Sequence, residues 1–205
     1  MVTLRAFNPE DLSALYAISL ATGHEGGDAS HLHEDPRLIG HIYSAPYALV
    51  DPGLVVVAAD EDDRVVGYIV GAVDTASWEE GLERSWWPKL RREYVDPSDT
   101  PRAGWTADQR RAFMIHHPPR TPAALVKAYP AHLHMNLLAK MQRRGIGSAL
   151  LKSWLELAAS RGGAAAHVGV NRANPGALRF WETQGFRTLT LDGLANDRTV
   201  WMGRS

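Results

Sequence analysis

Cysteine does not occur anywhere in this chain of 205 residues. That excludes disulfides, thiolate metal sites and a cysteine nucleophile. A charge excess is missing as well: 22 Lys and Arg stand against 23 Asp and Glu, a formal net charge of -1. Such a balance gives no global attraction to nucleic acid or to an anionic membrane surface. No apolar run approaches the length of a membrane span, and the start, Met1-Val2-Thr3-Leu4-Arg5, lacks the apolar core of a signal peptide. These absences lead to the expectation of a soluble cytoplasmic protein with neither nucleic acid nor membrane as partner. What is present suits an ordinary globular domain, with 45% apolar and 22% charged residues. The length fits one domain, residues 1–205, with an insertion. Seven tryptophans and nine histidines are generous for that length.

Hydrophobic periodicity divides the chain into alternating elements. Val2 to Phe7 reads as a strand, followed by a helix capped by Asn8 with Pro9 in its first turn and stopped near Thr22-Gly23. A polar, histidine-bearing loop covers Gly23 to Asp35, and Pro36 to Tyr47 has room for a short helix. Leu54 to Ala59 is a fully buried strand that turns at Asp60 to Asp63 and pairs back through Arg64 to Val73. About 75–122 breaks the rhythm with Trp78, Trp86, Trp87, Trp105 and six prolines. It reads as a helical insertion, with helices in Glu79 to Tyr94 and from Thr106 to Ile115. Its tryptophans either wall a pocket or fasten the insertion to the core. Ala131 to Leu138 is a strand, Ser148 to Arg161 a helix ended by Gly162-Gly163, Ala165 to Val170 a strand, and Pro175 to Gln184 a helix capped by Asn174. Phe186 to Leu191 and Thr199 to Met202 close the chain as strands around a turn at Gly193 to Asp197. Alternation of this kind in the second half predicts parallel or mixed pairing.

Chemistry concentrates at Gln142-Arg143-Arg144-Gly145-Ile146-Gly147-Ser148, between an apolar strand and an amphipathic helix. A helix start offers unpaired N–H groups and the positive end of the helix dipole, which suit a phosphate. Glycine opens backbone angles closed to other residues and leaves no Cβ in a ligand's way. The turn has a partner about thirty residues on, where a strand ends at Asn171, a helix begins at Asn174, and Phe180-Trp181 precede Gly185-Phe186.

Together the two stretches resemble the GCN5-related N-acetyltransferase (GNAT) superfamily, over the whole order of elements outside the insertion. The resemblance implies an α/β (α+β) fold: a central mixed, mostly antiparallel sheet with a splayed parallel pair, flanked by helices, with the helical insertion between strands 3 and 4. It also implies an acetyl-CoA cosubstrate and no metal. The pyrophosphate would lie on backbone N–H groups around Gln142, Arg143, Arg144, Gly145, Ile146, Gly147 and Ser148. Pantetheine amides would pair with Leu137 and Leu138 on the splayed strand, and Asn171, Asn174, Ala177, Phe180 and Trp181 would flank the thiol arm. Trp78 to Tyr94, Gly23 to Tyr47 and His132-Leu133-His134-Met135 also look like the acetyltransferase-like domain of O-GlcNAcase.

Acetyl transfer to an amine needs a deprotonated nitrogen, a polarised carbonyl and a proton for the departing thiolate. The family's frequent acid is a tyrosine at the position of Trp181, and an indole is no acid near neutral pH. Tyr43, Tyr47 or a water are the substitutes, and the sequence does not choose among them. His132, His134 and Asn136 alternate along one strand face, and histidine titrates near working pH. His132-Leu133-His134 resembles the histidine pair of aralkylamine N-acetyltransferases; partly exposed structural histidines are the competing reading. His33 and Asp35 are further candidates for the base, whereas His116-His117 reads as solvated. Neither His31-x-His33 nor His132-x-His134 has a third metal ligand at a persuasive spacing. The expected activity is an acetyl-CoA-dependent N-acetyltransferase acting by direct attack on an unknown amine acceptor. The alternative is a coenzyme-binding sensor or interaction module. A monomer and a homodimer joined through Trp86 and Trp87 both stay open.

Overall fold

The computed structural model describes residues 2–191, 194 and 198–205. The strands are β1 (Thr3–Ala6), β2 (Val56–Ala59), β3 (Val65–Ala72), β4 (Ala131–Leu137), β5 (Ala166–Asn171), β6 (Arg187–Thr188) and β7 (Thr199–Arg204). The helices are α1 (Leu12–Ala21), α2 (Leu38–Tyr43), α3 (Ala45–Val50), α4 (Thr75–Ser85), α5 (Trp87–Leu90), α6 (Ala107–His116), α7 (Ala123–Ala128), α8 (Ile146–Ser160) and α9 (Pro175–Thr183). All seven strands join in one sheet, in the order β1-β2-β3-β4-β5-β7-β6. Every neighbouring pair is antiparallel except β4 and β5. No helix among the described residues is long and apolar enough to cross a membrane.

The sheet separates two cores. On one face α8 buries Leu150, Leu151, Trp154 and Ala158 against β2, β3 and β5. Trp154 is fully enclosed, and its indole N–H donates to the Leu54 carbonyl (3.1 Å). On the other face Leu15 and Ile18 of α1 and Tyr47 and Ala48 of α3 pack on Val57, Tyr68 and Val70. Alternation along β3 is reset by a bulge where Ala58 pairs with Gly67 and Ala59 with Val65. The unpaired Val66 therefore shares a face with Ile69.

Between β3 and β4 the insertion builds a third core, with Leu82, Trp86, Trp87, Leu90 and Ile115 closing on Leu38 and Ala45. Trp86 is 7% exposed and donates its N–H to the His41 carbonyl (2.9 Å). Trp86 and Trp87 thus pack the insertion against α2 and the start of α3. The Thr106 cap forms as the sequence implies, completed by Gln109 as a reciprocal capping box.

Several boundaries differ from the sequence reading. The segment after Pro36 folds as two helices broken at Ser44, and α7 extends the helical part of the insertion past Pro122. Pro52–Leu54 is a 3-10 turn, so β2 starts later than Leu54. α8 starts two residues before Ser148, with Gly145 as its N-cap. The strand expected over Phe186 to Leu191 shrinks to two residues, Arg187–Thr188, with Phe186 turned into the core against Trp181. Most of the turn expected at Gly193 to Asp197 lies outside the described residues.

A Cβ on Gly71 would lie 2.3 Å from the His132 carbonyl oxygen and 2.5 Å from the Trp154 ring. Gly71→Ala should therefore destabilise the fold by ~2 kcal/mol, read as a lower urea midpoint at unchanged m-value. An unaltered midpoint would mean that β3 and β4 are not held at this spacing.

Candidate active site

Two parallel strands that part leave backbone donors and acceptors unpaired between them. β4 and β5 bridge only at Ala131–Ala166 and His132–His167, although β4 runs on to Leu137 and β5 to Asn171. The Ala131 N–H points to β5, where it bonds the Ala165 carbonyl (3.0 Å). The Leu138 N–H points the other way, to the Val66 carbonyl of the β3 segment (3.0 Å). Strand alternation then aims the backbone groups of Met135 and Leu137 into the gap. This corrects the sequence reading at Leu138, whose N–H is already consumed by the β3 side. Met135 takes its place. The Leu137 carbonyl accepts from the Gln142 side chain (3.1 Å), which ties the turn to the strand end.

A cavity of about 680 Å³ follows this gap to the start of α8. Gly145 adopts φ +77 with nothing within 4 Å of a would-be Cβ, and Arg143 is also left-handed at φ 58. α8 has no side-chain cap, and its first turn closes with Ala149 N–H on the Gly145 carbonyl (3.1 Å). The N–H groups ahead of Ala149 are therefore not consumed by the helix, and they stand at its positive end. Gly147 serves packing: a Cβ there would press on Phe180 at 3.2 Å.

Among the residues expected at the coenzyme, Leu137, Gln142, Arg143, Gly145, Gly147, Ser148, Asn171, Asn174, Ala177, Phe180 and Trp181 line this cavity. Leu138, Arg144 and Ile146 do not. Ile146 turns into the core because its Cβ points back from the first helical turn, and the Arg144 guanidinium rests on the Met141 sulfur. Thr22, Gly23, Glu25, Gly26 and Arg179 line it without having been foreseen. The only trace of the first four in the sequence is the helix stop at Thr22-Gly23. Asn136 holds that stop against β4 by donating to Thr22 Oγ1 (2.6 Å) while accepting from the Tyr68 hydroxyl (3.0 Å).

Beyond β4 lies a second chamber of about 190 Å³, roofed by the insertion and bordered by His132, His134 and His167. The Thr75 hydroxyl donates to the Pro130 carbonyl (2.6 Å), so it must accept from His132 Nδ1–H (2.8 Å). Nε2 of the neutral ring then accepts from the Tyr47 hydroxyl (2.6 Å). Tyr47 is 3% exposed and stacks on Trp78 at 4.5 Å. Burial drives its ionisation above the usual phenol range and holds His132 well below the usual imidazole value. Neither group has a vacant site for a proton. His167 is held at one nitrogen, donating Nδ1–H to the Tyr129 carbonyl (2.7 Å).

His134 differs. Its ring meets those of Tyr43 and Tyr47 edge-on at 5.5 and 5.7 Å, and it borders the chamber. Burial first, and then the neighbouring His167, lower its pKa to about 4. His33 and Asp35 line neither cavity. His33 pairs with Asp108, and Asp35 accepts from the Tyr94 hydroxyl (2.7 Å). The adjacent His116 and His117 are engaged rather than merely solvated: His116 donates to the Tyr94 carbonyl (2.7 Å), and His117 bonds Asp96 (2.7 Å). Among the described residues no group of three His, Cys, Asp or Glu is placed to hold a metal ion.

Comparison with known proteins agrees with this geometry. The family model described as Acetyltransferase (GNAT) family matches residues 25–186. A solved structure, the crystal structure of SsHAT, is 32% identical, covers 99% of this chain and 97% of its own, and superposes with a TM-score of 0.90. Protein O-GlcNAcase of Rattus norvegicus is 21% identical over 99% of this chain, which spans only 22% of that protein's length. The PaiA N-acetyltransferase of Thermoplasma acidophilum, solved in complex with coenzyme A, shares the fold at a TM-score of 0.57, 15% identity and 100% and 98% coverage of the two chains.

Three neutral histidines, the buried His132 and His167 and the half-buried His134, make stability depend on pH. Their folded pKa values lie below the unfolded one, so the unfolded chain binds more protons and stability falls as pH drops below about 6.5. Each contributes up to ~1.4 kcal/mol per pH unit in that window. The thermal midpoint should rise from pH 5 to pH 7, with a shallower rise in His134→Gln. Equal slopes in the two proteins would place His134 in water.

Proposed function

The chain belongs to the acetyltransferase (GNAT) family, and on that premise we propose that it transfers an acetyl group from acetyl-CoA to a primary amine by direct attack. The observation that carries this reading is the continuity of the 680 Å³ cavity from the uncapped, left-handed turn at Gly145 to the parted ends of β4 and β5. The helix N-terminus suits the pyrophosphate, with Arg143 and Arg179 adding positive charge beside it. Backbone groups of Met135 and Leu137 suit the pantetheine amides. Acetyl-CoA supplies a thioester carbonyl, which the open edge of β4 can polarise.

In the transfer, the amine nitrogen bonds to the carbonyl carbon as the carbon–sulfur bond breaks. One proton leaves the nitrogen and one returns to the sulfur. His134 is the receiver of the amine proton, because neither of its ring nitrogens is engaged by a described residue, whereas both of His132 and Nδ1 of His167 are. His132 and Tyr47 set the floor beneath it. Trp181, 6% exposed and packed edge-on to Phe186, shapes the thiol arm and offers no acid. Tyr43, whose hydroxyl accepts from the Arg111 guanidinium (3.2 Å), and water are the proton sources left for the sulfur.

Replacing Gly145 by Glu adds a negative charge and a strained backbone at the cradle. Calorimetry should show acetyl-CoA affinity weakened at least ~100-fold, while Gly104→Glu, on an open surface turn, leaves it unchanged. Undiminished affinity in Gly145→Glu would remove the cradle from the coenzyme site. His134→Gln should keep coenzyme affinity and lower kcat by ~100-fold or more. The missing acid at Trp181 favours a second reading, a coenzyme-binding module without transfer. Release of free coenzyme A with an amine panel, abolished in His134→Gln, would reject it.

A further inference from the structure

The 190 Å³ chamber across β4 belongs to neither the pyrophosphate cradle nor the pantetheine gap, and its walls have a definite chemistry. Rings dominate it: Tyr43, Tyr47, Trp78, Trp87 and Trp201 line it together with the His134 imidazole, which Tyr43 and Tyr47 meet edge-on. The insertion supplies Trp78, Trp87, Met114 and the Pro118–Thr121 loop, so the roof is particular to this chain's long connection between β3 and β4. Two carboxylates reach the wall, and both are already satisfied. Glu79 accepts from the Thr121 N–H (2.9 Å) and Arg120 (3.4 Å), and both oxygens of Glu83 are held by Arg91 at 3.0 Å. Two of the hydroxyls are spent as well, since Thr75 bonds Pro130 and His132 while Tyr47 bonds His132, and that of Tyr43 already accepts from Arg111.

We propose that this chamber is the acceptor site and that it selects a compact primary amine carried on an aromatic or bulky apolar body. This rests on the transferase reading and narrows it. A polyhydroxylated aminosugar would surrender more bonds to water than these walls can replace. A polyamine would bring a second ammonium to walls whose carboxylates are already ion-paired. A lysine arm would leave the ring walls largely uncovered. The same partial desolvation that lowers the His134 pKa to about 4 also disfavours an ammonium, so the bound amine sheds its proton more readily than in water.

The test uses the full chain with saturating acetyl-CoA, and kcat/KM for 2-phenylethylamine, n-butylamine, glucosamine, spermidine and a blocked lysine amide. Phenylethylamine should lead the others by at least ~10-fold. Met114→Trp, which fills the chamber from the partly buried face of α6, should erase most of that lead while the calorimetric affinity for acetyl-CoA stays unchanged. A flat series, a preference for the sugar, polyamine or lysine, or indifference to Met114→Trp overturns the proposal. Titration of phenylethylamine alone, followed by tryptophan fluorescence, reads the chamber independently of turnover. Saturable binding lost in Met114→Trp supports the assignment even where no acetyl group moves, and absence of binding refutes it. A wild-type protein that fails to bind acetyl-CoA strikes the transferase reading instead, and the titration still decides the chamber.

Discussion

The parting of β4 from β5 is the constraint on which the rest of the molecule depends. Two bridged pairs hold the strands together at one end, and beyond them neither strand supplies the other's hydrogen bonds. Unpaired backbone inside a protein is costly unless something else satisfies it. In this fold the gap opens onto the 680 Å³ cavity, where the proposed coenzyme would bring amides to meet it. Met135 and Phe180 meet around Gly147 at its mouth, so the same divergence that frees the backbone also creates room for α8 to bring its N-terminus close.

Polar groups on the other face of β4 show how the site is kept in place. His132, His134 and Asn136 point toward α1 and α3, where an apolar sheet face would be expected. Two of the three are engaged at both polar ends: His132 by Tyr47 and Thr75, Asn136 by Tyr68 and Thr22. These bonds join four separate stretches of chain to one strand, and they couple the insertion, α3 and the loop after α1 to the coenzyme gap. The third, His134, has no such partner and is the member of the row left open to the chamber.

Much of this was legible in the residues. The glycine turn after an apolar strand, the Asn174-Pro175 helix start and the Gly185 stop are local signals, because they concern backbone angles and caps set by a few neighbouring residues. Ser148 as the first helical residue was misjudged by two positions, since Gly145 itself serves as the cap. Met135 escaped notice because its side chain is unremarkable and its backbone direction depends on pairing with β3. Thr22 to Gly26 reach the cavity through a bond to Asn136, more than a hundred residues away.

The sequence by itself determined the order of elements, the place of the phosphate-suited turn and the exclusion of cysteine chemistry. Each of these follows from residue type, spacing and short-range sterics. Tertiary structure alone decided which histidine is open, which tryptophans glue and which wall a chamber, and whether Leu138 or Met135 faces the gap. Those outcomes turn on strand register and on hydrogen bonds between distant segments. A one-residue change of register would reverse them without altering a single local signal.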